Sequence, residues 1–111
     1  MNSLHIANVI REQINYGVGV DGSSGMICSM AWGANRFTGC GEETEEHQGW
    51  LSFQVRGRKF KGAVKIKLLW NDTYRVEFWK VRRPSIKMVH AVEDVYFDQL
   101  TSIIDRYVEA D

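Results

Sequence analysis

The chain has 111 residues, of which 14 are basic, 14 are acidic and 44% are hydrophobic. This length predicts a single domain over residues 1–111, and the composition excludes an intrinsically disordered or collagen-like chain. No apolar run reaches the roughly 20 residues of a membrane-spanning helix, no secretion signal opens the chain and only two cysteines are present, so we expect a cytoplasmic protein without membrane association.

The first predicted element is a helix over residues 3–15 with Ser3 as its N-cap. Its apolar residues recur at spacings of three and four and form one stripe: Ile6, Val9, Ile10 and Ile14. Eight of the ten glycines follow, between residues 17 and 49. Within this glycine-rich part, the apolar run 26–32 is predicted to be a buried strand, and residues 42–46 form an acidic loop.

Residues 50–90 show the period-two alternation of an antiparallel meander. Three runs, 51–55, 64–70 and 74–79, each place apolar residues at every second position. Asn71-Asp72 lies between two of these runs and predicts a tight hairpin turn. Arg82-Arg83-Pro84 interrupts the pattern, because proline cannot donate to a strand ladder, and a short strand over 86–90 is predicted to follow.

A closing helix is predicted from the apolar residues near the C-terminus, which recur every three or four positions: Val92, Val95, Tyr96, Leu100, Ile103, Ile104, Tyr107 and Val108. Glu93 and Asp94 would then lie in its first turn, where the helix dipole favours negative charge. An N-terminal helix, an antiparallel sheet of four to five strands and a C-terminal helix predict a two-layer α+β fold.

The charges are unevenly distributed along the chain. Residues 56–87 contain eleven basic and two acidic residues, a net charge of +9, whereas residues 1–55 carry −4 and residues 88–111 carry −5. Successive side chains of a strand point to opposite faces, and this parity places many of these cations on the outward face of the sheet, together with two tryptophans. The candidate binding surface consists of Trp50, Arg56, Lys65, Lys67, Arg75, Trp79, Lys80 and Arg82.

Such a surface suits two kinds of partner, a protein with acidic groups or a nucleic acid. Cations contact phosphates, and aromatic rings stack on bases with about 1–3 kcal/mol per base. A solvated sheet face, partly neutralised by the protein's own acidic residues, is the alternative, because basic residues also protect exposed strands from edge pairing.

No motif for catalysis, a cofactor or a metal emerges from the sequence. The string G-x-G-x-x-G at 17–22 follows a helix, whereas a dinucleotide site needs it after a strand. Cys28, in an apolar run, is expected in the core, and a catalytic pair of Cys40 with His47 or His90 depends on their meeting in the fold. The acidic loop 42–46 lacks the alternating ligands of a calcium loop. We therefore expect no enzyme activity and no cofactor.

Several short segments of the chain, taken together, form a recognisable pattern: IREQI at 10–14, MAWGANRF at 30–37, LSF at 51–53, VKIKL at 64–68, DTYRVEF at 72–78 and VYFDQL at 95–100. With these segments the chain resembles small bacteriophage and prophage proteins of uncharacterised function. The resemblance implies a phage or mobile-element origin and a location in the host cytoplasm, with no functional residue to carry over. The expected function is non-enzymatic binding of a host protein, for example one of a defence complex; the alternative is nucleic-acid binding by the basic sheet. The sequence leaves the oligomeric state open.

Overall fold

Helices lie on one side of a five-stranded antiparallel sheet in the computed structural model, which describes residues 5–41, 43–82 and 85–109. The elements in chain order are α1 (His5–Tyr16), α2 (Gly25–Ala31), β1 (Asn35–Cys40), β2 (His47–Arg56), β3 (Lys61–Leu69), β4 (Tyr74–Arg82), β5 (Ser85–Val95), a 3-10 turn (Phe97–Gln99) and α3 (Leu100–Val108). The strands lie side by side in the order β1-β2-β3-β4-β5, and each is antiparallel to its neighbour. The predicted two-layer α+β fold with a meander is confirmed.

The core lies between the sheet and the helices, as the period-two alternation predicts. Phe53 faces Val64 across β2 and β3, and Ile66 faces Val76 across β3 and β4, with all four side chains buried. We call this side of the sheet the helix-covered face and the other side the open face. The predicted hairpin turn at Asn71-Asp72 joins β3 to β4, and Asp72 adopts the positive φ of 64° that this turn requires.

The prediction of a buried strand over residues 26–32 is wrong, because this segment contains helix α2. Ser24 provides the N-cap, and its hydroxyl accepts a hydrogen bond from the backbone N–H of Ile27. Cys28 and Trp32, four residues apart, are buried, whereas Met26 and Met30 are exposed. An apolar run this short does not distinguish a strand from a helix that covers the core with one side only.

The closing helix begins later than its apolar spacing predicts. Val92 and Val95 belong to the eleven-residue strand β5, which also contains the predicted short strand 86–90. Asp94 has a φ of 56° at an irregularity in the β4–β5 ladder, so Glu93 and Asp94 do not lie in the first turn of a helix. The five observed strands agree in number with the predicted four to five, but the set of strands differs. Strand β1 lies in a segment where no strand is predicted, and the predicted strand 26–32 is absent.

Three sequence features fall partly or wholly outside the described residues. These are the N-cap at Ser3, the first glutamate of the acidic loop, Glu42, and the interruption at Arg83-Pro84. Strands β4 and β5 are nevertheless paired from Arg82 opposite Ser85 onward.

The glycine-rich segment 17–25 joins α1 to α2 and is tied to α3. The backbone N–H of Gly25 donates to the carbonyl of Gly17, and that of Val20 donates to the carboxylate of Asp105 at 3.0 Å. The other carboxylate oxygen of Asp105 accepts a hydrogen bond of 2.9 Å from the indole of Trp32. The G-x-G-x-x-G string is therefore part of a helix-to-helix connection.

Candidate functional site

Six of the eight candidate residues share the open face of the sheet. The register pairs Trp50 with Lys67 and Lys67 with Arg75, and places Lys65, Arg56 and Trp79 on the same side by alternation. Lys80 and Arg82 follow Phe78 at intervals of two and therefore point to the helix-covered face. Both are exposed and lie near the end of β4.

Glu77 lies at the centre of the open face and is almost completely buried there, with 4% of its side chain exposed. It accepts hydrogen bonds from Nε of Arg75 at 2.8 Å and from the indole of Trp79 at 3.1 Å, and Nζ of Lys67 lies 3.2 Å away. Burial alone would raise the pKa of Glu77, but these three partners together hold it below its ordinary value. The carboxylate is therefore ionised at neutral pH.

Two further carboxylates complete what we call the charge network, which consists of Glu46, Lys67, Arg75, Glu77 and Glu93. Glu46, from the acidic loop, lies 3.0 Å from Nζ of Lys67, and Glu93 on β5 pairs with the guanidinium of Arg75. The hydrogen bond from Lys67 lowers the pKa of Glu46. With three carboxylates and two cations, the network has a net charge of −1. This part of the open face is not basic.

Lys65 and Trp50 also engage each other. Nζ of Lys65 lies 4.4 Å from the centroid of the Trp50 ring, which is the geometry of a cation–π contact. The lysine therefore lies over the ring that a nucleic-acid base would need for stacking. Position on the open face, which parity predicts, does not by itself leave these side chains available to a partner.

The remaining cations lie at the end of the sheet where β2 meets β3 and β4 meets β5. Arg56 is directly opposite Lys61 on the open face, and Lys80 is directly opposite Lys87 on the helix-covered face. We call these four residues the basic tip. In the part of the chain that the structure describes, none of the four forms an ion pair. Like charges directly opposite each other destabilise a sheet, so both pairs would gain from an anionic partner.

An apolar strip runs beside the basic tip on the open face. It consists of two cross-strand pairs, Trp79 with Met88 and Val81 with Ile86. Val81, Ile86 and Met88 are 44%, 66% and 38% exposed. Exposed apolar side chains that lie together and are bordered by polar residues are typical of a protein-binding site.

Sequence reasoning missed five of these residues: Lys61, Val81, Ile86, Lys87 and Met88. The pairing of the strands identifies these residues, because the register of β4 with β5 places Lys80 opposite Lys87 and Val81 opposite Ile86. The register depends on where each strand begins and on the irregularities in the ladder. Because the sequence predicts β5 as a short strand over 86–90, it does not supply this alignment.

Cys28 is buried in the core, and the acidic loop is held by hydrogen bonds between its own residues. Burial, followed by the charge of Asp105, raises the pKa of Cys28, so its thiol is a poor nucleophile. Within the described ranges, no three or more His, Cys, Asp or Glu side chains come together as they would to hold a metal ion. In the acidic loop, Thr44 accepts hydrogen bonds from the backbone N–H groups of Glu46 and His47.

None of the helices in the described residues has the length and apolar character needed to cross a membrane. Comparison with protein-family models, with curated proteins and with solved structures found no match.

Proposed function

We propose that this chain is a non-enzymatic protein-binding module that uses the apolar strip and the basic tip to recognise a partner with apolar and acidic groups. One observation carries the proposal: Val81, Ile86 and Met88 are exposed together on the open face, at the end of the sheet that carries the basic tip. The four cations of the tip, two on each face of the sheet, have no acidic partner among the described residues. Burying such apolar side chains is favourable, at about 25 cal/mol per Å² of apolar surface removed from water. The cations add selectivity for an acidic partner.

The same geometry favours a protein over a nucleic acid. A nucleic-acid site needs cations for phosphates and accessible rings for bases. The charge network neutralises Lys67 and Arg75, and Lys65 lies over Trp50. Aliphatic side chains such as Ile86 and Val81 offer no planar surface for a base, but they fit the apolar side chains of another protein.

The origin and the location of the protein belong to this proposal as well. The resemblance of short segments to phage proteins supports a phage or mobile-element origin, and a host protein is then the expected partner. A cytoplasmic location follows from the same reasoning.

The test is affinity capture from nuclease-treated lysate of the cells that naturally produce the protein. Three tagged forms are compared: the wild type, the double variant Ile86→Ser/Met88→Ser, and the matched control Met26→Ser/Met30→Ser. The control residues are equally apolar and are 60% and 81% exposed on α2, away from the sheet. We expect the wild type and the control to retain one stoichiometric protein and the Ile86/Met88 variant to lose it.

Two results would contradict the proposal. Equal capture by all three forms would place the binding site elsewhere. If a parallel capture from untreated lysate retains DNA or RNA, and the nuclease-treated lysate yields no retained protein, the nucleic-acid alternative is favoured.

A further inference from the structure

Strand β5 leaves one of its backbone edges without a strand partner. It is the last strand in the sheet order and pairs with β4 only, within the residues that the structure describes. A strand at the edge of a sheet presents N–H and C=O groups to which another chain can add. At eleven residues, β5 is much longer than the opposite edge strand β1, which has six and an irregularity in its ladder.

The two faces of β5 differ in chemistry near its beginning. Ile86 and Met88 face the open side with Val81 and Trp79, whereas Lys87 faces the helix-covered side with Lys80. Side chains of an added strand would alternate between the same two faces. An added strand that matches β5 therefore carries apolar side chains on one face and acidic ones on the other.

A groove on the helix-covered side extends this basic character. It lies between β5 and α3, has a volume of about 480 Å³, and is lined in part by His90, Arg106 and Tyr107. Among the described residues, no acidic side chain lines it. The ring of His90 stacks on that of Tyr107, with the centroids 4.8 Å apart, and these rings form an aromatic wall. Carboxylates on an added strand would face Lys87 and the Arg106 side of this groove.

We propose that the partner contributes an extended segment that adds to β5 as a sixth strand, with alternating apolar and acidic side chains. This inference rests on the proposed function and specifies how the partner is held. The apolar side chains pack on Ile86 and Met88, and the acidic side chains neutralise the Lys80–Lys87 pair. In this binding mode the main-chain hydrogen bonds provide affinity and the alternating side chains provide specificity. The irregularities in the β4–β5 ladder limit the added segment to about five residues.

The test uses a fluorescently labelled peptide, blocked at both ends, with the sequence GEIEVEIEG. Its binding to the full chain is measured by fluorescence anisotropy at low salt. Two further peptides carry N-methyl groups on alternate residues, one in each phase, which removes the N–H groups on one edge of the added strand. A fourth peptide, GKIKVKIKG, reverses the charge. We expect the parent peptide to bind, one N-methylated phase to bind at least about tenfold more weakly than the other, and the lysine peptide not to bind.

The protein variants are Lys87→Glu and, as a matched control, Arg36→Glu on the opposite edge strand β1. Both positions are exposed, and neither side chain forms an ion pair within the described residues. Lys87→Glu places opposite charges across β4 and β5, so the variant should fold, and its Tm is checked. We expect it to weaken binding of the acidic peptide about tenfold, while Arg36→Glu leaves binding unchanged.

Equal binding of both N-methylated peptides and the parent would overturn strand addition, as would failure of the parent peptide to bind. The capture experiment separates these failures from failure of the proposed function. If capture still depends on Ile86 and Met88, the protein binds a partner through the apolar strip by another geometry. If that dependence is also absent, both proposals are wrong.

Discussion

Glu77 determines how much of the positive charge on the open face is accessible to a partner. Its carboxylate holds Arg75 and Lys67, and their side chains are only 22% and 14% exposed. These two cations belong to the predicted binding surface, and in the structure they neutralise a buried acid. A single outward-pointing glutamate among basic strands therefore changes the character of the surface around it.

We predict that Glu77→Gln lowers the free energy of unfolding by about 1–3 kcal/mol at pH 7, since hydrogen bonds to a charged group are lost. The pKa of Glu77 in the folded protein lies below its ordinary value of 4.5. Its ionisation therefore stabilises the fold above pH 4.5, and this contribution is lost as the pH falls through the folded pKa. The difference between wild type and variant should shrink from pH 7 to pH 3.

Urea unfolding at the two pH values measures this difference. Glu12→Gln is the control, because Glu12 is exposed on α1. An equal difference for Glu77→Gln at pH 7 and pH 3 would show that the carboxylate charge does not stabilise the network.

Asp105 has a comparable role among the helices, where it joins three separate segments. Its two oxygens accept from Trp32 and from the backbone of Val20, and the residue is buried. Asp105→Asn replaces one acceptor by an NH₂ group that would face an N–H donor. We predict a loss of about 1–3 kcal/mol in unfolding free energy. Urea unfolding followed by tryptophan fluorescence measures it, with the exposed Asp94→Asn as control; equal stability of the two variants would contradict the assigned role.

At the scale of the elements, the close contact of α1 with α2 depends on Gly25. A Cβ at this position would lie 1.6 Å from the backbone oxygen of Ile14. At Gly22, by contrast, a Cβ would meet nothing within 4 Å, although its φ of 87° disfavours other residues. The two glycines thus separate the effect of close packing from that of backbone conformation.

We predict that Gly25→Ala lowers the free energy of unfolding by about 3 kcal/mol, because the helices must move apart. Gly22→Ala should cost only about 1 kcal/mol, from the left-handed backbone alone. Thermal and urea unfolding of the two variants give the comparison. Similar losses in both would mean that the helices do not approach as closely as the distance to Ile14 indicates.

The elements also show which parts of the fold can be predicted from the sequence. Alternation in 51–55, 64–70 and 74–79 predicts strands correctly, because each buries one face against the helices. The spacing of apolar residues is misleading at Val92 and Val95. The two residues are three positions apart, as on one face of a helix, but both lie in strand β5, where an irregularity in the β4–β5 ladder falls between them. Local periodicity does not contain such tertiary effects.

The same limit applies to the candidate site. Parity correctly brings Trp50, Lys65 and Lys67 to one face, but it does not show that Glu46, distant in sequence, reaches Lys67. Nor does it reveal the apolar strip, which requires the register of β5. Which residues share a face is a local property, whereas which of them are neutralised depends on the whole fold.

For the whole molecule, the net charge of zero conceals two levels of organisation. Along the chain, a basic middle lies between acidic ends. In the fold, carboxylates from the acidic loop, from β4 and from β5 neutralise one part of the open face, and the basic tip keeps its charge. The position of the apolar strip beside the unneutralised cations makes this end of the sheet the proposed binding region.

Limited acetylation of the lysines, read by mass spectrometry, tests this division of the sheet most directly. Nζ of Lys67 lies within 3.2 Å of two carboxylates, whereas Lys61, Lys80 and Lys87 form no ion pair in the described part of the chain. We predict that Lys61, Lys80 and Lys87 are acetylated several-fold faster than Lys67 in the native protein, and that urea removes the difference. Acetylation of Lys67 at the same rate as these three lysines in the native protein would contradict the account.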